Sequence, residues 1–123
     1  MAFINKIKRN FEYVSDTKTV LFSAEMDTII SSIRCTNITD SNIRITLEDI
    51  RLLKHHVEKG YICYKLLVLP NQTIDLLMVT KGTDSEIVEH TMLDGDSLVC
   101  YSESYSESFS CIITGYELLE SQT

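Results

Sequence analysis

The chain has 123 residues, 44% of them hydrophobic and 24% charged, with four Gly, one Pro and a net charge of −7. A single domain of this length hides roughly 65% of the surface that its unfolded form exposes, so neither metal nor disulfide is needed for folding, and the composition excludes collagen-like, low-complexity and wholly disordered chains. No apolar run approaches the roughly 20 residues that cross a bilayer as a helix, and the start, Met1-Ala2-Phe3-Ile4-Asn5-Lys6-Ile7-Lys8, lacks a signal peptide's apolar core and cleavage site, so a water-soluble domain with no membrane partner is expected.

Residues 1–16 read as an N-terminal arm. Phe3, Ile7, Phe11 and Val14 fall on one stripe of a helix, but Asn5, Asn10 and the β-branched content oppose a helix, and an arm that docks through its aromatic side chains fits equally well. Either way Phe3, Phe11 and Tyr13 need something to cover them. Thr19-Val20-Leu21-Phe22 then opens a series of short strands, and Thr28 to Thr36 follows with Ile29, Ile33 and Cys35 on one face. The polar stretch Asn37 to Asn42 supplies a loop. Ile43, Ile45 and Leu47 alternate with Arg44, Thr46 and Glu48, the plainest half-buried strand of the sequence.

Leu47 to Lys59 leaves two readings open. Leu47, Ile50, Leu53 and Val57 have helical spacing, with Thr46 and Asp49 as a cap pair and Gly60 as a stop; alternatively the upstream alternation continues through Asp49-Ile50-Arg51 into a charged loop around His55 and His56. Tyr61 to Leu69 is apolar on both faces apart from Lys65, and Pro70-Asn71-Gln72 breaks it. Ile74, Leu76 and Met78 begin the next predicted strand. Leu93-Asp94-Gly95-Asp96 is a tight turn before Ser97 to Ser102, and Phe109 to Leu118 is the last strand. Before it lies a tandem tetrapeptide, Tyr101-Ser102-Glu103-Ser104 and Tyr105-Ser106-Glu107-Ser108, read as a polar hairpin tip in which Tyr101 or Tyr105 is the candidate anchor for a partner.

The charge is unevenly spread. All eleven Lys and Arg lie at or before Lys81, against nine acids, whereas Gly82 to Thr123 holds nine acids and no base. Nucleic acid is therefore not the expected partner, because counterion release needs clustered cations. A solvated acidic surface accounts for most such asymmetries; the sharper reading places Lys6, Lys8 and Arg9 of the arm on the acidic rim of a neighbouring copy. Cys35, Cys63, Cys100 and Cys111 show no metal-ligand spacing, and each sits within a predicted strand, so reduced, buried thiols are expected.

Several of these segments taken together resemble the small structural proteins of tailed bacteriophages. They are Thr19-Val20-Leu21-Phe22-Ser23-Ala24, Ile29-Ile30-Ser31-Ser32-Ile33 leading to Thr36-Asn37 and Asp40-Ser41, the alternating Ile43 to Leu47, the hairpin Leu93-Asp94-Gly95-Asp96-Ser97-Leu98-Val99 and the closing Thr114-Gly115-Tyr116-Glu117. The resemblance implies a compact β-sandwich in a virion, as capsid decoration or cement protein, neck or tail accessory protein, or fibre adaptor, with no catalytic residue to carry over. The charged Leu47 to Lys59 segment and the acidic carboxyl half depart from the usual look of the group.

Catalytic constellations are thin. His90, Asp94, Asp96 and abundant Ser lack a GxSxG elbow, and Asp94-Gly95-Asp96 with Asp84 or Glu86 falls short of the six or more oxygens that Ca²⁺ requires. Adjacent His55 and His56 point to different sides and make no metal pair. The sequence thus predicts an all-β antiparallel sandwich, jelly-roll or immunoglobulin-like, of about seven or eight strands over residues 17–119, with the arm before it, a tail at 120–123 and room for one short helix. The expected role is non-enzymatic, without cofactor or metal: virion assembly in the host cytoplasm through Phe3, Lys6, Ile7, Lys8, Arg9, Phe11, Tyr101 and Tyr105, with other virion proteins and copies of itself as partners. A glycan- or receptor-binding module of a tail or fibre is the alternative.

Overall fold

The computed structural model describes residues 2–53, 55–81, 89–103 and 107–120, with side chains described for 10–53, 55–78, 89–103 and 107–118. Its elements in chain order are β1 (Ala2–Val14), β2 (Thr19–Ser23), β3 (Thr28–Asn37), β4 (Ile43–Leu52), β5 (Val57–Val68), β6 (Thr73–Asp75), α1 (Leu76–Lys81), β7 (His90–Met92), β8 (Ser97–Ser102) and β9 (Phe109–Glu120). They form two antiparallel sheets. One has the order β1-β9-β3-β6, with the short β7 also on β3, and the other has the order β2-β8-β4-β5. Among these strands only β4 and β5 are both consecutive in sequence and paired; β6 and β7 follow one another on the same strand, β3, and elsewhere the chain alternates between sheets, with the last strand slotted between the first and the third. That order is a jelly roll, and it sets the immunoglobulin-like alternative aside, because β1 pairs with the final strand rather than with β2.

The period-two pattern dictates the core. Ile43, Ile45 and Leu47 of β4 point inward and are buried, as are Ile30, Ile33 and Cys35 of β3, Leu98 and Cys100 of β8, and Phe109, Cys111 and Ile113 of β9. Each large aliphatic or aromatic side chain so buried contributes about 1.5–3 kcal/mol relative to exposure. The four cysteines are buried in this one cluster, as the sequence predicts.

Two expectations change and one open reading is decided. Residues 2–14, read as an arm, run along β9 in continuous register from Ala2 opposite Glu120 to Val14 opposite Phe109, with one bulge between Ile4 and Lys6. A neighbour of matching length satisfies the backbone groups that a detached arm would leave to water. Leu47 to Lys59 takes the strand-and-loop reading: Leu47 pairs with Cys100 on one side and Cys63 on the other, and the turn closes through Leu53 N–H donating to the His56 carbonyl at 2.8 Å. Sheet pairing on both sides outweighs helical spacing there. The strand predicted from Ile74 instead becomes three residues of β6 followed by α1. Leu76 and Leu77 are both fully buried, which successive strand residues facing opposite sides cannot achieve against one core, and Asp75 Oδ1 caps the turn by accepting the Leu77 N–H at 3.1 Å.

Gly115 marks a close approach of β9 to β3 in the first sheet. A Cβ there would land on the Ile29 carbonyl oxygen and 3.0 Å from Ile30 Cα, beside the bulge between Ile30 and Ser32. Backbone cannot yield as a side-chain tip can, so Gly115→Ala is expected to cost about 1–3 kcal/mol in urea unfolding. An unchanged midpoint would show that β3 and β9 do not approach in this way.

Candidate functional site

Strand β4 carries two polar clusters because it outruns the core. Its inward face continues from Ile45 and Leu47 to Asp49 and Arg51, where the covering hydrophobic residues end. Its outward face carries Thr46 and Glu48, both buried beneath neighbours on the same sheet surface.

Glu48 is the centre of the outer cluster. Its side chain is 0% exposed although it faces away from the core, since long side chains from β5, β8 and the segment before β2 close over it. Tyr101 donates its hydroxyl to Oε2 at 3.1 Å; Lys18 Nζ lies 3.4 Å from Oε1 and Lys59 Nζ 3.4 Å from Oε2. The lysines also sit over rings, Lys18 at 5.4 Å from the Tyr101 centroid and Lys59 at 5.7 Å from that of Tyr61. The carboxylate raises the Lys59 pKa through its hydrogen bond, and burial followed by the Glu48 contact raises that of Tyr101. Beside this group Thr46 Oγ1 accepts the Lys65 N–H at 3.1 Å where β5 bulges into a left-handed residue, φ 51° at Lys65, whose own ammonium stands 5.5 Å from the Tyr64 ring. The outer surface of the second sheet is thus a band of lysine–tyrosine pairs around one buried carboxylate.

The inward continuation of β4 makes the second cluster and joins the sheets at one end. Asp49 Oδ2 lies 3.0 Å from His90 Nε2 on β7, within ion-pair distance but off the line of a hydrogen bond, so that neither His90 Nε2 nor Asp49 Oδ1 has a hydrogen-bond partner. Arg51 grips Asp96 with both arms of its guanidinium, Nε to Oδ1 at 3.1 Å and Nη2 to Oδ2 at 3.0 Å, and the Leu93 N–H donates to Oδ2 at 2.9 Å. Burial taken by itself would push the Asp96 carboxyl up; the Arg51 and Leu93 hydrogen bonds and the Arg51 charge outweigh it and hold the carboxyl below its ordinary value. Asp96 therefore serves the turn at Asp94-Gly95, where Gly95 has φ 94°, rather than standing open to a cation.

The structure disperses the residues singled out in the sequence. Phe3, Lys6, Ile7, Lys8 and Arg9 are all members of β1, their side chains outside the described residues; the register sets Lys6 opposite Glu117 and Ile7 opposite Tyr116 of β9. Phe11 lies on the outer face of the first sheet, edge-on to Tyr13 at 4.9 Å and about half exposed. Tyr101 belongs to the Glu48 cluster on the opposite face, and Tyr105 lies outside the described residues. The two ends of the tandem tetrapeptide loop are anchored: Ser102 and Ser108 share a 2.6 Å hydroxyl contact, and their amides donate to the carbonyls of Ser15 and Val14. Asn37, at the start of the predicted polar loop, spends its amide internally on Ser41, Val68 and Thr39.

What the sequence missed is the pair of β4 clusters and the apolar end of the β4–β5 hairpin. Leu52 is 63% exposed, Leu53 40% and Val57 58%, and every residue from Val57 to Tyr61 is exposed on whichever face it occupies. The one available signal was the continued alternation through Arg51, which the competing helical spacing hid. Comparison with protein families, curated proteins and solved structures finds no match to this chain.

The Asp96 pair has a pH signature. A carboxyl lowered in the folded state contributes stability that is complete above its unfolded value, 3.8, and is lost as pH falls through the folded one. Asp96→Asn is expected to lower the urea midpoint at neutral pH and to flatten its decline below about pH 4. Equal acid slopes for the two proteins would contradict the assignment.

Proposed function

We propose that this chain is a non-enzymatic structural subunit of a virion, joining or decorating capsid, neck or tail through its outer surfaces, with other virion proteins and copies of itself as partners. The observation that carries the reading is the apolar hairpin end. Leu52 and Val57 face each other across the β4–β5 pair, with Leu53 in the turn beyond them. A monomer gains nothing by holding these side chains in water on a projecting tip, whereas a neighbour that covers them gains about 1.5–3 kcal/mol for each before ordering costs. The lysine–tyrosine band runs back from the tip along the same face, which suits an interface of apolar centre and polar rim. The jelly roll supports the virion setting by analogy, since such sandwiches recur in viral capsids as well as in lectins, and the phage-like segments noted above fall on β2, β3, β4, β8 and β9.

The hairpin can be tested without disturbing the core. Leu52→Asp with Val57→Asp is expected to leave the circular dichroism spectrum unchanged and to weaken particle incorporation or self-association at least tenfold, as the loss of about 1.4 kcal/mol would. Wild-type incorporation by this double variant would remove the hairpin from the interface.

A further inference from the structure

We propose that Cys35 and Cys111 are a modification site, a thiol pair built to close into a disulfide between β3 and β9. They occupy directly opposed positions in the antiparallel register. Opposed residues have Cα atoms about 4.5–5.5 Å apart, inside the window of about 4.4–6.8 Å that disulfides occupy. Their Sγ atoms are 3.1 Å apart, so approach to a bond of about 2.05 Å needs side-chain rotation and little backbone movement.

The same geometry favours this pairing over the others. Cys63 and Cys100 both lie opposite Leu47, one on each side of β4, so two strand spacings, about 9–10 Å, separate them. Across the core the facing sheets stand about 10 Å apart, so a bond from Cys63 or Cys100 to the pair would have to span the sandwich, whereas Cys35 and Cys111 already touch and the Cys63 thiol donates to the Ile45 carbonyl at 3.6 Å. Sequence spacing conveys none of this, because Cys35 and Cys111 are 76 residues apart and meet only when β9 docks.

The reaction needs a two-electron acceptor, and a low-molecular-weight disulfide supplies it. One cysteine thiolate attacks a sulfur of the oxidant and expels a thiolate, leaving a mixed disulfide; the second cysteine then attacks the protein-bound sulfur and expels the other thiolate. Both cysteine protons end on the two released thiols, and the oxidant's sulfur–sulfur bond is the one reduced. In the folded chain the mutual thiol contact and burial hold Cys35 protonated, so exchange proceeds when the sheet opens or while the chain folds. The product ties the central strand β9 to β3 and closes a long loop, which constrains the unfolded state.

The test is to refold the reduced full-length chain in a glutathione redox buffer, alkylate it, and map the peptides by mass spectrometry. The expected product is lighter by two hydrogens, is alkylated at Cys63 and Cys100, and yields a linked pair of peptides containing Cys35 and Cys111. Its denaturant midpoint lies above that of the reduced protein and returns on reduction. Four alkylated cysteines, or a linkage that includes Cys63 or Cys100, would overturn the proposal.

Discussion

The insertion of β9 between β1 and β3 is the constraint on which the remaining structure depends. Until the last strand arrives, the first sheet consists of β3 with its two short partners, and β1 has nothing to pair with in the described fold. Once in place, β9 supplies Phe109, Cys111 and Ile113 to the core from one face and offers a full-length edge to β1. Such pairing is highly non-local, so its loop-closure entropy must be met before any contact rewards it, and slow folding follows from the topology. The charge polarity of the chain acquires a local meaning as well. The basic first segment lies next to a strand from the acidic carboxyl half, with Lys6 at the register position of Glu117.

Strand β4 converts this scaffold into a surface. It is central in its own sheet, with β8 and β5 on either side, so both of its edges are held by hydrogen-bonded neighbours. The inward face locks the sandwich as far as Leu47 and then turns polar, fastening the end of the fold through Arg51 and Asp96. The outward face presents Glu48 to two lysines and a tyrosine. A buried carboxylate repays its desolvation only when its partners are well placed, and two ammonium groups and a hydroxyl meet that need here. Rigidity then reaches the hairpin end, where apolar side chains stand in water.

Local pattern made the strands legible and long-range pairing made the rest illegible. Ile43, Ile45 and Leu47 announced β4 by alternation, Pro70 and the Asp94-Gly95 turn announced the breaks, and four cysteines within predicted strands announced their burial. Nothing near Leu76 and Leu77 signalled the helical turn that buries both of them. The same is true of Glu48: its charge suggested a solvated position, and the covering groups Lys18, Lys59 and Tyr101 come from β8, β5 and the segment before β2. Residues 2–14 were ambiguous for a related reason, since their strand character depends on a partner more than a hundred positions away in the sequence, as Lys6 and Glu117 illustrate.

A cryo-electron reconstruction of the intact particle asks the central question most directly. The account requires density for this sandwich among the particle's subunits, with Leu52, Leu53 and Val57 sealed against a neighbour. Particles that lack the chain, or that hold it with the hairpin tip standing in solvent, would contradict it.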